Sequence, residues 1–531
     1  MESSEDQEKI IQDKNNIVVV ARPGSGKTYT IVEKIKLILK DSYNYQGIIA
    51  ISFTNKASEE LRNRCINSEL SLKSSFFGTI DKFCFSQIIV PFCSHLSSKI
   101  QELKIQELKN FDDLKNFNKN NDKEVKKIIE EYLKQDIVFL ELLGETAIYI
   151  LKNVPDAIKY LRARYKEIFI DEYQDCGSSQ HELFLYLVNH GIKGMAVGDI
   201  HQAIYGFAEK FPKYLKDLTQ NHDFSHYRLL ENFRCHPSIY QYALRLFGPV
   251  EEYEKEKRVF RVKITGDERS IAKEIEKIIP FIKEKYNLRT AGKFAILCRS
   301  NTTVGILNQS LTIPHKVYKN TELDKDNSEF ARLFIYLLRG YFDKNIYAID
   351  IAERFFSKEY ERNKYRSLLN ATQQLFACPV NKLIDDITIF SDIANIIYPN
   401  VTTKDISETL TKLKNVLSDK CSYENYIPTK DNELSIMTIH KSKGLEFDVI
   451  FQMDMYKYVF PSKNSYEQDL NLHYVAITRA KVACFLMEGT IRHNSRMESK
   501  LANPSEFYNL PGLATRRHDI DIRTKNLQPP F

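Results

Sequence analysis

Short apolar runs rich in β-branched residues recur along the chain, and most are followed by a longer segment with the apolar spacing of a helix. Runs of this length between polar residues are typical of buried parallel strands. Their alternation with helices predicts an α/β fold. The predicted strands lie at residues 16–20, 47–53, 167–170, 194–197, 293–297, 434–439, 448–452 and 482–487.

Two long segments interrupt this alternation. Residues 97–135 are rich in Lys, Glu and Asn, and we expect exposed helices there, inserted into the first sheet domain. Residues 301–431 form a second, mainly helical insertion, in which 329–341 and 406–417 are the clearest helices. From His518 the chain is polar and ends in Pro-Pro-Phe, so we expect a loose tail.

A glycine-rich turn joins the first predicted strand to a helical segment. Such a turn directs several backbone N–H groups and a helix N-terminus at one point, where phosphate binds well. Lys27 is placed to reach the β and γ phosphates of a nucleoside triphosphate, and the Thr28 hydroxyl to bind Mg²⁺. An ordinary glycine turn is the alternative, which the strand–helix setting disfavours. The predicted nucleotide-binding residues are Ala21, Arg22, Pro23, Gly24, Ser25, Gly26, Lys27 and Thr28.

Two adjacent carboxylates follow the predicted strand at 167–170. In a P-loop protein, Asp171 would hold Mg²⁺ and Glu172 would orient or deprotonate the attacking water. An Asp-Glu pair alone is usually a surface feature, but its place after a strand in a chain with a P-loop favours the catalytic role. The strand at 194–197 leads to Asp199 and then to Gln202, which we expect near the γ-phosphate.

Length and composition narrow the class of protein. A chain of 531 residues is long enough for several domains. No apolar run approaches the roughly 18 residues that span a bilayer, and the acidic start is unlike a signal peptide, so we expect a cytoplasmic protein. The nine cysteines form no Cys-x-x-Cys pair, which argues against a zinc site. A net charge of +6 is compatible with a polyanion partner but does not establish one.

Further motifs follow in order at residues 52–57, 78–83, 230–234, 295–301, 437–447 and 474–481. With these motifs, the chain resembles the UvrD/Rep group of superfamily 1 helicases. The last two are highly specific for that family. The resemblance implies two RecA-like P-loop domains with parallel sheets, each carrying an inserted, mainly helical subdomain.

The resemblance also implies domain boundaries. The first RecA-like domain would comprise 1–94 and 164–226, with a helical insertion at 95–163. The second would comprise 227–301 and 432–490, with a reduced helical insertion at 302–431. A C-terminal extension would cover 491–531. The implied activity is that of an ATP-dependent DNA helicase with ATP and Mg²⁺ as cofactors, moving 3′ to 5′ on single-stranded DNA.

Several residues receive roles from the resemblance alone. Gln7 is similar to the residue that reads adenine, Phe233 to the aromatic that stacks on it, and Glu446 to the ribose contact. Arg234 and Arg479 resemble the two arginines that close onto the γ-phosphate, where planar, permanently charged groups stabilise spread charge. The implied contacts to DNA are Phe53, Thr54, Asn55, Thr79, Tyr205, Phe207, Thr438 and His440, and any single polar residue among them is equally compatible with a cap or turn.

The chain departs from the family pattern at several points. Asp81 stands where the family usually has His, Phe207 where it often has Trp, and Ala208-Glu209 where it usually has Arg-Gly. No nuclease signature follows Lys481. In these features and in its small size the chain is most similar to the helicase-like subunit of the Gabija anti-phage defence system. That resemblance implies a partner nuclease subunit in a hetero-oligomeric complex.

Two functions from different classes therefore stay open. The first is a motor that moves along single-stranded DNA and unwinds duplexes. The second is a DNA-activated nucleotide hydrolase that senses DNA ends and regulates a partner nuclease without processive unwinding. Both need the same catalytic residues, and a structural subunit with a dead site is disfavoured by the intact Lys27, Asp171, Glu172 and Arg479.

Overall fold

The chain forms two compact units in a computed structural model. The first comprises Met1–Glu254 and Asn464–Thr478, and the second Lys255–Lys463 and Arg479–Phe531. The structure describes residues 3–53, 55–68, 70–96, 103–114, 117–119, 121–204, 212–251, 254–319, 321–326, 328–344, 346–356, 361–398, 403–463 and 465–522.

A six-stranded, fully parallel sheet is the centre of the first unit. Its central strands are buried along almost their whole length, as expected when helices cover both faces of a parallel sheet. In spatial order the strands are β3 (Phe76–Gly78), β2 (Gly47–Ile51), β6 (Tyr165–Ile170), β7 (Lys193–Gly198), β1 (Asn16–Ala21) and β8 (Phe224–Leu229).

The register of this sheet brings the carboxyl ends of its strands to one edge. Val20 of β1 pairs with Gly198 of β7, and Ile51 of β2 pairs with Ile170 of β6. Loops that follow these strands therefore lie beside one another, where ligands of open α/β sheets bind.

Helices cover both faces of the first sheet. One face packs in a cluster with Ile31, Ile35 and Leu39 of α2, and the other shares its core with the inserted segment through residues such as Ile128 and Leu151. The helices are α1 (Glu5–Gln12), α2 (Lys27–Lys40), α3 (Asn55–Ile66), α4 (Ile80–Phe83), α5 (Val90–Phe92), α6 (Asp122–Leu133), α7 (Leu143–Asn153), α8 (Pro155–Arg164), α9 (Ser178–Asn189), α10 (Lys213–Leu218) and α11 (Pro237–Arg245), with a π-helix at Cys84–Ile89.

The inserted segment of the first unit is only partly as predicted. It contains α6, whose buried face includes Val125, Ile128 and Ile129, so this helix is not simply exposed. It also contains two short parallel strands, β4 (Lys104–Gln106) and β5 (Ile137–Phe139). The expectation of exposed helices throughout 97–135 was therefore wrong, because these amphipathic elements pack on the sheet domain.

A seven-stranded parallel sheet is the centre of the second unit. Helices α12 (Glu268–Lys285) and α13 (Asn301–Ser310) pack on it with buried Ile275, Ile278 and Leu307. In spatial order the strands are β11 (His315–Val317), β12 (Leu434–Thr438), β10 (Phe294–Cys298), β13 (Phe447–Gln452), β14 (Ala480–Glu488), β9 (Val259–Lys263) and β17 (His518–Asp521).

The second insertion is helical and has its own core around Phe334, Leu368 and Phe390. Both of its clearest predicted helices are confirmed, at α15 (Glu329–Phe342) and α19 (Thr403–Ser418). The other helices there are α14 (Glu322–Lys325), α16 (Ala348–Phe355), α17 (Arg362–Ala377), α18 (Thr388–Ile397) and α20 (Lys420–Tyr423).

The last described residues of the chain form a strand where a loose tail was expected. After the antiparallel hairpin of β15 (Ile491–His493) and β16 (Ser499–Leu501), residues 518–521 form β17, which pairs with β9. Arg517 anchors this strand, since its Nη1 donates to the carbonyl of Tyr508 at 3.0 Å. The prediction of a loose tail from His518 was wrong for these residues, and 523–531 lie outside the described part of the chain.

All eight predicted strands are present, and the two large parallel sheets confirm the expected fold class. The sequence did not predict β3, β8, β9, β11 or the short paired strands. Strand β8 pairs with β1 in the first sheet, so the proposed boundary at 226/227 falls inside a strand of the first unit.

Candidate nucleotide-binding site

The glycine-rich turn is the loop between β1 and α2. Gly24 and Gly26 have φ angles of 71° and 79°, in the left-handed region that favours glycine. Added Cβ atoms would lie 2.5 Å from Cβ of Arg234 and 2.4 Å from Nε2 of Gln7, respectively. Both positions therefore favour glycine, and the predicted residues 21–28 form one continuous strand–turn–helix segment.

Helix α1 holds Gln7 against this loop. Ser4 and Gln7 form a reciprocal capping box at the start of α1, and Nε2 of Gln7 donates to the carbonyl of Ser25 at 3.2 Å. At the other end of the helix, the buried ammonium of Lys34 donates to the carbonyls of Ile10 and Ile11. With both ends fixed, the helix positions Gln7 beside the turn.

A cavity of about 190 Å³ adjoins the same loop. Phe233, the expected stacking residue, contributes a side chain that is 48% exposed. Polar and apolar groups both line the cavity, as they do in sites that take a flat heterocycle with polar edges. The lining residues are Ser4, Glu5, Asp6, Ser25, Leu229, Leu230, Glu231 and Phe233.

The segment after β8 binds the loop directly. Nδ2 of Asn232 donates to the carbonyl of Pro23 at 2.7 Å, and the backbone N–H of Phe233 donates to the carbonyl of Gly24 at 2.8 Å. Oδ1 of Asn232 accepts from the backbone N–H groups of Arg234 and Cys235. The backbone of Arg234 therefore lies beside the glycine-rich turn. Asn232 was not predicted as a site residue.

The two carboxylates lie at the neighbouring strand end. The backbone N–H of Asp171 donates to the carbonyl of Ile51, and Oδ1 of Asp171 accepts from the N–H of Glu172 at 2.9 Å. Oε1 of Glu172 is 3.5 Å from Nζ of Lys27, with both side chains largely buried. Glu172 has φ 59°, an uncommon conformation for a non-glycine residue, and such strain clusters at functional sites.

Gln202 lies in the turn that follows β7, at the same edge of the first sheet. Its Nε2 donates to Oδ2 of Asp199 at 2.8 Å, and both side chains are buried. The 3₁₀ turn Ile200–Gln202 begins at Asp199, whose Oδ1 accepts from the N–H of His201. Burial lowers the pKa of His201. Lys27, Asp171, Glu172 and Gln202 thus share the carboxyl edge of the first sheet.

In the second unit, two predicted nucleotide contacts lie at the amino ends of neighbouring strands. Glu446 directly precedes β13 and Arg479 directly precedes β14. The N–H of Phe447 donates to the carbonyl of Arg479 at 2.9 Å, and Nη1 of Arg479 donates to the carbonyl of Leu445 at 3.4 Å. Glu446 forms an ion pair with Lys481 at 2.8 Å.

Comparison with known families agrees with this geometry. The profile of the UvrD/REP helicase N-terminal domain matches residues 3–138 and 92–223, and that of the UvrD-like helicase C-terminal domain matches 345–488. The chain belongs to the UvrD/Rep-like superfamily 1 DNA helicases. It is accordingly an ATP-hydrolysing enzyme of the DNA helicase type.

Individual relatives of this helicase cover nearly the whole chain. It is 28% identical to Gabija protein GajB of Bacillus cereus over 93% of this chain and 97% of that protein. It is 24% identical to a probable DNA helicase II homolog of Mycoplasma genitalium, over 96% and 86% of the two chains. It is 23% identical to the ATP-dependent DNA helicase PcrA of Staphylococcus epidermidis, over 92% and 83%.

The predicted DNA contacts of this helicase follow three strand ends. Phe53 is half-buried after β2, and Thr79 is the N-cap of α4, where its hydroxyl accepts from the N–H of Lys82. Thr438 ends β12 and His440 lies in the turn after it, at the edge of the second sheet opposite to Glu446 and Arg479. Thr54, Tyr205, Phe207 and the side chain of Asn55 lie outside the described part of the chain.

Sequence analysis missed Asn232, Asp199 and Gln174 in this helicase. Asn232 stands inside the motif at 230–234 and Gln174 three residues after Asp171, but no family role pointed to either. Their contacts are set by the pairing of β8 with β1 and of β6 with β7, which the sequence did not reveal. Within the described ranges, no helix is long and apolar enough to cross a membrane.

Proposed function

We propose that this helicase is an ATP-driven motor that moves 3′ to 5′ on single-stranded DNA in anti-phage defence or DNA processing. The observation that carries the proposal is the approach of Lys27 and Glu172 at the carboxyl edge of the first sheet, beside Asp171. The similarity to GajB, which extends over nearly all of both chains, supports the role in defence.

The residues of the edge fit a magnesium-bound nucleoside triphosphate. The left-handed Gly24 and Gly26 leave room for phosphate oxygens, and the N-terminus of α2 and Lys27 supply positive charge. Thr28 and Asp171 offer the hard oxygen ligands that Mg²⁺ takes, and the ion would offset negative charge on the phosphates. Gln7, Phe233 and Glu446 would hold the base and ribose.

Hydrolysis needs an oriented water and stabilisation of spread charge. We propose that Glu172 orients the water and accepts its proton, while Gln202 reports the γ-phosphate. Arg234 and Arg479 would stabilise the charge that develops on the transferred group, because their guanidinium groups stay protonated. Loss of the γ-phosphate then removes the partner of these arginines, which is the basis for nucleotide-dependent movement.

The motor needs contacts to a DNA strand, and a role in defence also needs a nuclease activity. Phe53, Tyr205 and Phe207 would stack on bases, and Thr54, Asn55, Thr79, Thr438 and His440 would contact the strand. We further propose a partner nuclease subunit in a hetero-oligomeric complex, because the chain is similar over nearly its whole length to a protein named as part of the Gabija system. The inserted segments at 97–135 and 301–431 are the surfaces to test for that partner.

The deciding experiment measures ATP hydrolysis by the purified chain with and without single-stranded DNA, beside Glu172→Gln. Stimulation by DNA that this variant lacks is the expected result. A wild-type rate that DNA does not change would contradict the proposed coupling. Unwinding of a duplex with a 3′ single-stranded tail, compared with a 5′ tail, then tests the polarity.

One compositional observation favours a second function. The chain has no Trp, and Phe207 stands where the family often places that larger stacking surface. A weaker grip on DNA favours a DNA-activated nucleotide hydrolase that regulates a partner nuclease without processive unwinding. DNA-stimulated hydrolysis by the isolated chain with no strand separation on either tailed duplex would favour this function over the motor.

A further inference from the structure

A fully buried glutamine bridges two strand ends of the first sheet. Gln174 lies in the 3₁₀ turn Tyr173–Asp175 that follows the catalytic carboxylates, and its relative exposure is 0%. Its Nε2 donates to Oε2 of Glu172 at 2.5 Å, and its Oε1 accepts the backbone N–H of Asp199 at 2.9 Å. The reverse amide orientation would face a donor with a donor at Asp199, so the partners fix this one.

The bridge continues beyond Asp199. Oδ2 of Asp199 accepts from Nε2 of Gln202 at 2.8 Å, and the hydroxyl of Tyr474 lies 3.4 Å from the same oxygen. Tyr474 belongs to helix α21 (Tyr466–Ile477), whose Gln468 and Asn471 donate to the carbonyls of Ile204 and Ala203 at 3.0 Å. The segment from Asp199 to Ile204 is therefore held from both sides.

The close approach of the two strand ends depends on Gly198. A Cβ atom at this position would lie 2.4 Å from Oε1 of Gln174 and 3.2 Å from its backbone nitrogen. A glycine with no positive φ in a buried strand indicates that space, not backbone freedom, is the requirement. The side chain of Gln174 occupies the room that this glycine leaves.

We propose that Gln174 is a positioning residue that couples the orientation of the Glu172 carboxylate to the segment Asp199–Gln202. This inference rests on the proposed function, because residues 203–207 continue from this segment to the predicted base-stacking residues Tyr205 and Phe207. When DNA binding shifts the segment Asp199–Gln202, Asp199 moves with it. The amide of Gln174, which is bonded to both residues, then moves the carboxylate of Glu172.

The test is a double-mutant cycle between Gln174 and Gln202, which share Asp199 as their intermediate. Gln174→Met keeps the side-chain volume and removes the hydrogen bonds to Glu172 and Asp199. Gln202→Met removes the hydrogen bond from Gln202 to Asp199. Gln241→Met is the control, since this buried glutamine of the same unit accepts from the N–H of Glu254 away from the strand ends. The turnover number kcat and the KM for ATP are measured with and without an oligo-dT strand.

We expect Gln174→Met to lower kcat on DNA by roughly 10- to 100-fold, with KM for ATP changed less than about 3-fold. The double variant is expected to be no slower than the slower single variant, because both changes interrupt one relay. Gln241→Met is expected to keep the wild-type kcat. Additive losses in the double variant, or a fall in KM and kcat alike in all three single variants, would overturn the proposal.

Gln174→Glu separates the relay from simple packing. Where the new carboxyl is ionised, a glutamate keeps the acceptor for the N–H of Asp199 but loses the donor to Glu172, so at high pH we expect it to be as slow as Gln174→Met. Where it is protonated, its O–H can donate to Glu172 again, so turnover relative to the wild type should recover as pH falls. Wild-type turnover in Gln174→Glu at high pH would overturn the proposal. If DNA fails to stimulate the wild type, the proposed function is contradicted, while the cycle measured on basal kcat still decides whether Gln174 and Gln202 act through one relay.

Discussion

The ammonium of Lys27 lies 3.5 Å from the carboxylate of Glu172, although the two residues come from different strand ends of the first sheet. Both side chains are largely buried, so the pair is screened less than a surface ion pair. In a site for phosphate, this contact holds a positive group where the β and γ phosphates would lie and a carboxylate where water would attack. The two residues should therefore fail in different ways when they are replaced.

Lys27→Ala is expected to weaken ATP binding and to lower turnover, because the phosphate charge loses its partner. Glu172→Gln is expected to keep ATP binding and to lower kcat by roughly 10²- to 10⁴-fold, as for loss of a general base. Phosphate release and nucleotide binding measure the two effects. Lys36→Ala is the matched control on the same helix, since Lys36 pairs with Glu33 at the surface. Normal turnover in Glu172→Gln would refute the assignment.

Gly24→Ala is expected to weaken nucleotide binding by roughly 5- to 150-fold. The new Cβ would lie 2.5 Å from Cβ of Arg234, and φ is 71°, so the loop must move to accept it. Such strain costs on the order of 1–3 kcal/mol.

Gly305→Ala provides the matched comparison. Gly305 lies in α13, where an added Cβ would meet no described atom within 4 Å apart from its chain neighbours and the backbone of its own helix. Because alanine favours helices, this variant should gain roughly 0.5–1 kcal/mol in free energy of unfolding and keep nucleotide binding. Equal nucleotide affinity in both variants, measured by titration of a fluorescent ATP analogue, would show that the turn tolerates a side chain.

The buried strands of both sheets were predictable because each is a short apolar run between turn residues. Strand β8 was missed because its sequence Phe-Ser-His-Tyr-Arg-Leu alternates at the sheet edge, where one face is exposed and polar residues are tolerated. Strand β9 contains Arg261, which is buried and pairs with Glu488 at 2.7 Å, a long-range contact that no local pattern reveals.

Some residues of the candidate site could likewise be predicted from the sequence, and others could not. The turn at 21–28 and the carboxylates Asp171 and Glu172 carry local signatures, because one short segment supplies the whole chemistry. Asn232 and Gln174 act across strands, and their roles depend on β8 lying beside β1 and on β7 lying beside β6. A single sequence contains the residues but not the pairing that gives them their partners.

Stability should depend on pH through Glu167 of β6. Its side chain is buried, and burial raises the pKa of this carboxyl to about 7, partly opposed by Lys34 and Lys193. The folded state then binds more protons than the unfolded state between the usual pKa of 4.5 and about 7, so the free energy of unfolding falls as pH rises through that range.

Glu167→Gln removes the free-energy cost of ionising a buried carboxyl, because the amide stays neutral. The variant should melt several degrees higher than the wild type at about pH 8 and at nearly the same temperature at about pH 5. Glu131→Gln, at an exposed position of α6, is the control and should show no such pH-dependent difference. A melting-temperature gap that does not narrow toward low pH would contradict the predicted ionisation.

Binding of single-stranded DNA should combine charge and stacking. Contacts to phosphates release counterions, so the logarithm of the affinity should fall linearly with the logarithm of the salt concentration. Phe53→Ala should weaken binding by roughly 1–3 kcal/mol at every salt concentration and leave the slope unchanged, because a base that stacks on the ring contributes no counterions.

Phe77→Ala removes another half-buried ring in the same unit and should leave DNA affinity unchanged. Fluorescence anisotropy of a labelled oligo-dT strand over a salt series measures both quantities. A flat salt response in the wild type would exclude a groove that follows the backbone, and a changed slope in Phe53→Ala would show that this residue acts through charge contacts instead of a stacked base.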